Sequence, residues 1–210
     1  MSLDGLLIES CVDRGTLVRP PVPRTLYVSF VDPSGGAYDS FTAAVAHVDG
    51  DMAILDCLIE VKAPCNPVAA ASQISAVLKT YGIHSTVADK FGSGFAVDAF
   101  GKEGIRLDHS EHDRSQLYLE CMPLLTSGRV RLLDNRRLVA QFGNLERRSF
   151  SSGKQVIDHG VGGHDDLANA VAGALVLAAG KGVNFMSLIT NETLARARVP
   201  SLRSRLGSLA

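Results

Sequence analysis

The chain has 210 residues, of which 46% are hydrophobic and 20% charged, and a net charge of −1. That composition suits one globular domain with a buried core, and it does not mark a nucleic-acid partner by bulk charge, so any phosphate contact has to come from a local basic stripe. No run approaches the roughly 20 apolar residues of a membrane span, and Met1-Ser2-Leu3-Asp4 lacks the basic and apolar regions of a secretory signal. The four cysteines, Cys11, Cys57, Cys65 and Cys121, form no CxxC pair. They read as reduced thiols of a cytosolic protein.

Residues 1–24 end in Arg19-Pro20-Pro21-Val22-Pro23, where proline favours extended backbone. This segment reads as an arm or interdomain linker. Leu26–Val31 is a β-rich apolar run closed by the turn signal Asp32-Pro33-Ser34-Gly35-Gly36. Phe41–Val48 and Ala53–Val61 are two more strands, joined through Asp49-Gly50-Asp51 as a hairpin. Asn66-Pro67 opens a helix that Gly82 stops. Ser85–Ala88 is a short strand ending at Asp89. Gly94–Gly101 is a helix and Ile105–Leu107 a strand. Asp113 and Gln116 form a capping box for a helix to Leu125. Val130–Leu133 is a strand, Asn135–Leu145 a helix, Arg147–Gly163 a loop or hairpin, and Asp165–Lys181 a long helix of small residues.

Three meander strands followed by alternating units predict an α/β protein: a mixed sheet, antiparallel then parallel, with helices on both faces. That is the order of the ribonuclease H-like fold. In it the first and fourth strands are neighbours, so Asp32 and Asp89 end side by side, and the last helix brings Asp165-Asp166 close to them. Clustered carboxylates repel one another unless a cation joins them. Hard divalent cations choose oxygen ligands, and two ions roughly 3.5–4 Å apart serve phosphodiester hydrolysis by activating water and stabilising the leaving oxygen. Taken singly, each Asp is also ordinary turn or N-cap chemistry. The functional case rests on their convergence.

Four segments resemble parts of phage terminase large subunits, in their C-terminal nuclease domain, and three of the four resemble its acidic motifs. Phe30-Val31-Asp32-Pro33-Ser34-Gly35-Gly36 resembles the first acidic motif, and Val87-Ala88-Asp89-Lys90-Phe91-Gly92-Ser93-Gly94 with Gly104-Ile105-Arg106 the second. Gly128-Arg129-Val130 with Asp134-Asn135-Arg136-Arg137-Leu138 resembles the segment beyond it. Gly163-His164-Asp165-Asp166-Leu167-Ala168-Asn169-Ala170 resembles the third motif and is the most specific. The resemblance covers residues 25–180. It implies a metal-dependent endonuclease that cuts concatemeric double-stranded viral DNA during packaging, using two Mg²⁺ or Mn²⁺ ions. Asp32, Asp89 and Asp166 match its metal-binding acids, with Asp165 in reserve. Asn169 stands where some relatives carry a further acid. The resemblance also implies a terminase ATPase domain, a small terminase subunit and a portal as partners, in the cytoplasm of an infected host or lysogen. The chain has no GxxxxGK[ST] motif, so it is not the motor by itself.

Lys90, Arg147, Arg148 and Lys154 are candidate DNA-backbone contacts, and His164 beside the acids is a candidate for orienting water or phosphate. His109 and His112 read more readily as a polar loop than as metal ligands. The expected organisation is an arm (1–24), a nuclease domain (25–182) and a basic tail (183–210) carrying Arg196, Arg198, Arg203 and Arg205. The tail reads as a docking element for the packaging machinery. Alternatives are a Holliday-junction resolvase or transposase-like nuclease of the same fold, and a non-catalytic DNA clamp or assembly domain.

Overall fold

A computed structural model describes residues 5–89, 94–149, 155–159 and 164–180. In chain order the elements are α1 (Gly5–Ser10), β1 (Val12–Asp13), β2 (Val28–Asp32), β3 (Phe41–Asp49), β4 (Met52–Val61), α2 (Pro67–Thr80), β5 (Ser85–Ala88), α3 (Gly94–Lys102), β6 (Arg106–His109), α4 (Arg114–Thr126), β7 (Val130–Leu133), α5 (Arg136–Gly143), β8 (Leu145–Ser149) and β9 (Gln155–His159). Residues 166–180 form a further helix, α6. Seven strands make one mixed sheet in the order β1-β7-β4-β3-β2-β5-β6, and β8 pairs with β9 as a separate hairpin.

The meander is antiparallel, β2 to β3 to β4, and β2 pairs in parallel with β5, as the element order predicts. Alternation along the strands sorts the core onto two faces. Phe30, Ala44, Ala46 and Leu55 pack with α1, α4, α5 and α6, whereas Val31, Ala43, Val45 and Phe41 pack with α2 and α3. Helices therefore cover both faces.

The caps read from the sequence are present. Asn66 accepts from the amides of Val68 and Ala69, and Asp113 and Gln116 form a reciprocal capping box. Asn135 is the N-cap of α5, so that helix begins one residue later than read.

The expected arm differs at its first part. Residues 5–10 form α1, and Val12 and Asp13 pair in parallel with Leu132 and Leu133 at the sheet edge. Ile8 and Cys11 are fully enclosed. Pro20, Pro21 and Pro23 drew the reading towards a linker, but Ile8, Cys11 and Val12 are apolar side chains that burial beside β7 removes from water. Beyond them the chain is irregular, with turns at 14–15 and 23–24. It is tied by Arg19, whose guanidinium donates to the Leu55 carbonyl and to Asp13, and whose own carbonyl accepts from the Tyr81 hydroxyl at 2.7 Å.

Candidate metal centre

Because β2 and β5 are parallel neighbours, with Phe30 opposite Val87 and Val31 opposite Ala88, their carboxyl ends emerge together. Asp32 closes β2. Asp89 follows β5, and its amide donates to the Val31 carbonyl at 3.4 Å. Helix α6 crosses this edge closely, because Gly173 lets it lie against β2. A Cβ at that position would stand 2.6 Å or less from three ring carbons of Phe30. One turn earlier, on the same helix face, Asn169 reaches the two acids, its Nδ2 lying 3.5 Å from Asp89 Oδ2. The loop after Asp32 is held by Gly36. Its φ of +75° suits glycine, and its carbonyl accepts from the Cys65 amide at 2.8 Å.

Asp32, Asp89 and Asn169 line a cleft of about 700 Å³ together with Arg114, Gln116 and Asp158. Burial pushes the Asp32 carboxyl up to about 7, opposed by a hydrogen bond from Asn169 and reinforced by the charges of Asp166, Asp89 and Asp165. Asn169 is 1% exposed, and its Oδ1 has no hydrogen-bond partner. A buried amide oxygen with no donor is costly. Beside two carboxylates it completes a set of hard oxygen donors suited to a divalent cation. The residues present therefore fit one.

The two acids at the start of α6 diverge. Asp165 is 3% exposed and its carbonyl accepts the first helical bond, from the Asn169 amide, so it holds the N-cap position. Its carboxylate does not cap. It accepts from Arg114 at 3.0 Å and from the Tyr118 hydroxyl at 2.8 Å, one turn apart on α4. Gln141 of α5 does the capping instead, accepting from the Ala168 amide at 3.0 Å. Asp166 points the other way. Its Oδ2 accepts from the Ser40 amide at 3.3 Å, and its carbonyl from the Thr42 hydroxyl at 2.8 Å. Asp166, Asp39 and His164 place ligand atoms within 4.8 Å of one another. Burial, then the charges of Asp39 and Asp165, raise the Asp166 carboxyl above its usual range, against the Ser40 bond and the His164 charge.

Thus Asp32, Asp89 and Asn169 share the cleft. Asp166 and His164 line a different pocket of about 330 Å³, and Asp165 is engaged by Arg114 and Tyr118. Arg147 and Arg148 lie on β8, where Arg148 pairs with Glu146 at 3.1 Å. Lys90, Lys154 and the tail from residue 183 lie outside the described residues. His112 pairs with Glu120 at 3.3 Å, and the metal-ligand grouping found among the described residues contains neither His109 nor His112. Sequence reasoning missed Arg114, Tyr118, Asp39 and Asp158. The Arg114–Tyr118 spacing of one helical turn was the available signal, but only the packing of α4 against α6 shows what the pair holds.

No protein-family model matches the sequence, and no curated protein matches it at a significant level. Solved structures do match. The chain is similar to the large terminase nuclease of thermophilic phage G20c at 22% identity and a TM-score of 0.68, over 83% of this chain and 97% of that one. The same nuclease has been crystallised with bound magnesium and with bound cobalt. A mutant nuclease domain of the large terminase subunit of bacterial virus Sf6, with manganese and beta-thujaplicinol, matches at 15% identity and a TM-score of 0.63, over 83% and 98% of the two chains. The HK97 bacteriophage large terminase matches at 13% identity and a TM-score of 0.65, over 84% of this chain and 43% of that one.

Proposed function

Starting from a ribonuclease H-like fold shared with phage large terminase nucleases, we propose that this chain is a divalent-metal-dependent endonuclease acting on double-stranded DNA. The observation that carries the reading is the meeting of Asp32 and Asp89 at the ends of paired parallel strands, beside the unpartnered Oδ1 of Asn169. Asp32 and Asp89 would hold Mg²⁺ or Mn²⁺ with Asn169. Asp166, with Asp39 and His164 beside it, would hold a second ion. Ions held there would supply Lewis acidity towards a phosphate oxygen and activation of water.

The chain's own residues supply position and charge. Arg114 stands in the cleft wall, 3.0 Å from Asp165 and 3.6 Å from Asp158, and presents a guanidinium where a phosphate would enter. By holding Asp165 it also fixes the start of α6, and so the placement of Asn169. Arg147 and Arg148, on the β8–β9 hairpin docked onto α4, are proposed backbone contacts together with Lys90 and Lys154. Phosphate contacts of this kind carry no base information, which fits weak sequence preference.

The finer reading is cleavage of concatemeric viral DNA during packaging, in the host cytoplasm. An ATPase domain, a small terminase subunit and a portal are the proposed partners, and the arginines of the tail the proposed docking element.

The experiment is plasmid nicking with purified protein. Nicking and cutting are expected with Mg²⁺ or Mn²⁺ and not with EDTA, and Asp32→Asn and Asp89→Asn are each expected to abolish them. Cleavage undiminished by chelator would sink the metal mechanism. Preferential cutting of four-way junctions over linear duplex would transfer the chain to the resolvases.

A further inference from the structure

The meander carries a row of polar side chains away from Asp32. Asp32 of β2 lies opposite Thr42 of β3, and Thr42 opposite Glu60 of β4. Residues opposite one another share a face of the sheet, so the three side chains point the same way. With neighbouring strands about 4.8 Å apart, Glu60 stands roughly 10 Å from Asp32 along this row. Two members of the row hold other elements. The Thr42 hydroxyl donates to the Asp166 carbonyl at 2.8 Å and so ties down the start of α6. Glu60 accepts from the Ser40 hydroxyl at 2.8 Å and from Arg137, in the first turn of α5. Lys62 follows two residues after Glu60, just past the end of β4, and is exposed. Tyr38, Lys62 and Arg137 all line the pocket that contains Asp166.

The charge balance of that pocket favours an anion. A guanidinium has five N–H groups, and Arg137 donates to Glu60 through one nitrogen. Among the described residues Lys62 has no ion-pair partner. A divalent cation held by Asp166, Asp39 and His164 would cancel the two carboxylates. Lys62 and Arg137 then outnumber Glu60, the remaining acid of the pocket. Tyr38, 90% exposed, offers an aromatic ring beside them.

We propose that Lys62 and Arg137 seat a backbone phosphate of the DNA strand, next to the one that is cut, with Tyr38 against its sugar or base. This rests on the nuclease reading. A strand whose scissile phosphate lies at Asp32 follows the row through Thr42 to Glu60, and Glu60 has already set the guanidinium at the far end. The seated phosphate does not react. Lys62 and Arg137 therefore act on affinity and register, without reading base identity.

Equilibrium binding of a labelled DNA duplex to the full chain tests it, in Ca²⁺ and over a series of salt concentrations. Lys62→Gln and Arg137→Gln are each expected to weaken binding about 3- to 10-fold and to lower the slope of log affinity against log salt by about 1, equally on two unrelated sequences. In plasmid nicking with Mg²⁺ both variants should raise KM and leave kcat within about 2-fold. Arg129→Gln, beside Asp51 at the opposite end of the meander, should change neither. Glu60→Gln releases Arg137 without removing its charge, so binding should hold or tighten. Unchanged affinity and slope in Lys62→Gln overturn the proposal, and that exposed side chain has no ion pair to lose. An equal fall in slope for Arg129→Gln overturns it in favour of bulk charge. A loss in Glu60→Gln that matches Arg137→Gln overturns it in favour of a structural ion pair. The nuclease reading fails separately. Duplex binding with the expected slopes but no metal-dependent nicking removes the chemistry and keeps the phosphate seat, whereas nicking with both variants binding as the unmodified chain does removes the seat and keeps the chemistry.

Discussion

Raising the pH without metal should weaken this protein, and Asp32→Asn should remove most of that weakness. Asp32 carries a carboxyl pushed up to about 7 by burial and by neighbouring carboxylates. Each tenfold change in proton affinity is worth about 1.4 kcal/mol, so moving a carboxyl from its ordinary value near 4 to that level costs its ionised form about 4 kcal/mol. Solvent reaching a partly exposed group screens some of this, leaving about 2–4 kcal/mol. The folded state holds the proton more tightly than the unfolded chain. The contribution is therefore complete below pH about 4 and lost as pH rises past about 7. The assay is urea unfolding in EDTA at pH 5 and pH 8, wild type against Asp32→Asn. The variant's advantage should grow by about 2 kcal/mol or more between the two, about 4–8 °C in Tm for a domain of this size. Added Mg²⁺ should restore the wild type at pH 8 and not the variant. An advantage equal at both pH values would refute the account of Asp32 as a strained, clustered carboxylate.

Three further outcomes test other parts of the structure. Gly173→Ala should destabilise by about 1–3 kcal/mol, because its Cβ meets the Phe30 ring; adding Phe30→Leu should recover part of the loss, and additive losses in urea unfolding would contradict the contact. Arg114→Ala should cost about 3–5 kcal/mol, since it strands the buried Asp165 carboxylate. Tyr118→Phe should cost about 1–2 kcal/mol, and a double-mutant cycle of the two should show coupling. Asp166→Asn should abolish plasmid nicking in a stable protein, whereas Asp165→Asn should act mainly on stability. The reverse pattern would exchange the two assignments.

From β2 onward the order of elements, the caps at Asn66 and Asp113, and the adjacency of Asp32 and Asp89 were legible in the sequence. Each comes from local chemistry or from a topology rule: a side chain that satisfies nearby amides, a turn that ends a strand, a parallel strand that must lie beside the first. The roles of the paired acids were not legible. Asp165 and Asp166 are adjacent and chemically identical, and they separate because one meets Arg114 and Tyr118 from α4 while the other meets Ser40, Asp39 and His164.

Residues 5–13 show the same limit. The prolines that follow them made the whole stretch read as an arm, yet Ile8, Cys11 and Val12 are buried because α1 and β1 cover the edge of β7, a strand from the far half of the chain. Periodicity and capping report interactions within a turn or two, and those the sequence by itself determined. Which side chains neutralise which buried charges depends on elements distant in the chain, and only their packing decided it. The low-dielectric edge where β2, β5, α4 and α6 converge fixes what each carboxylate faces, and so what each can bind.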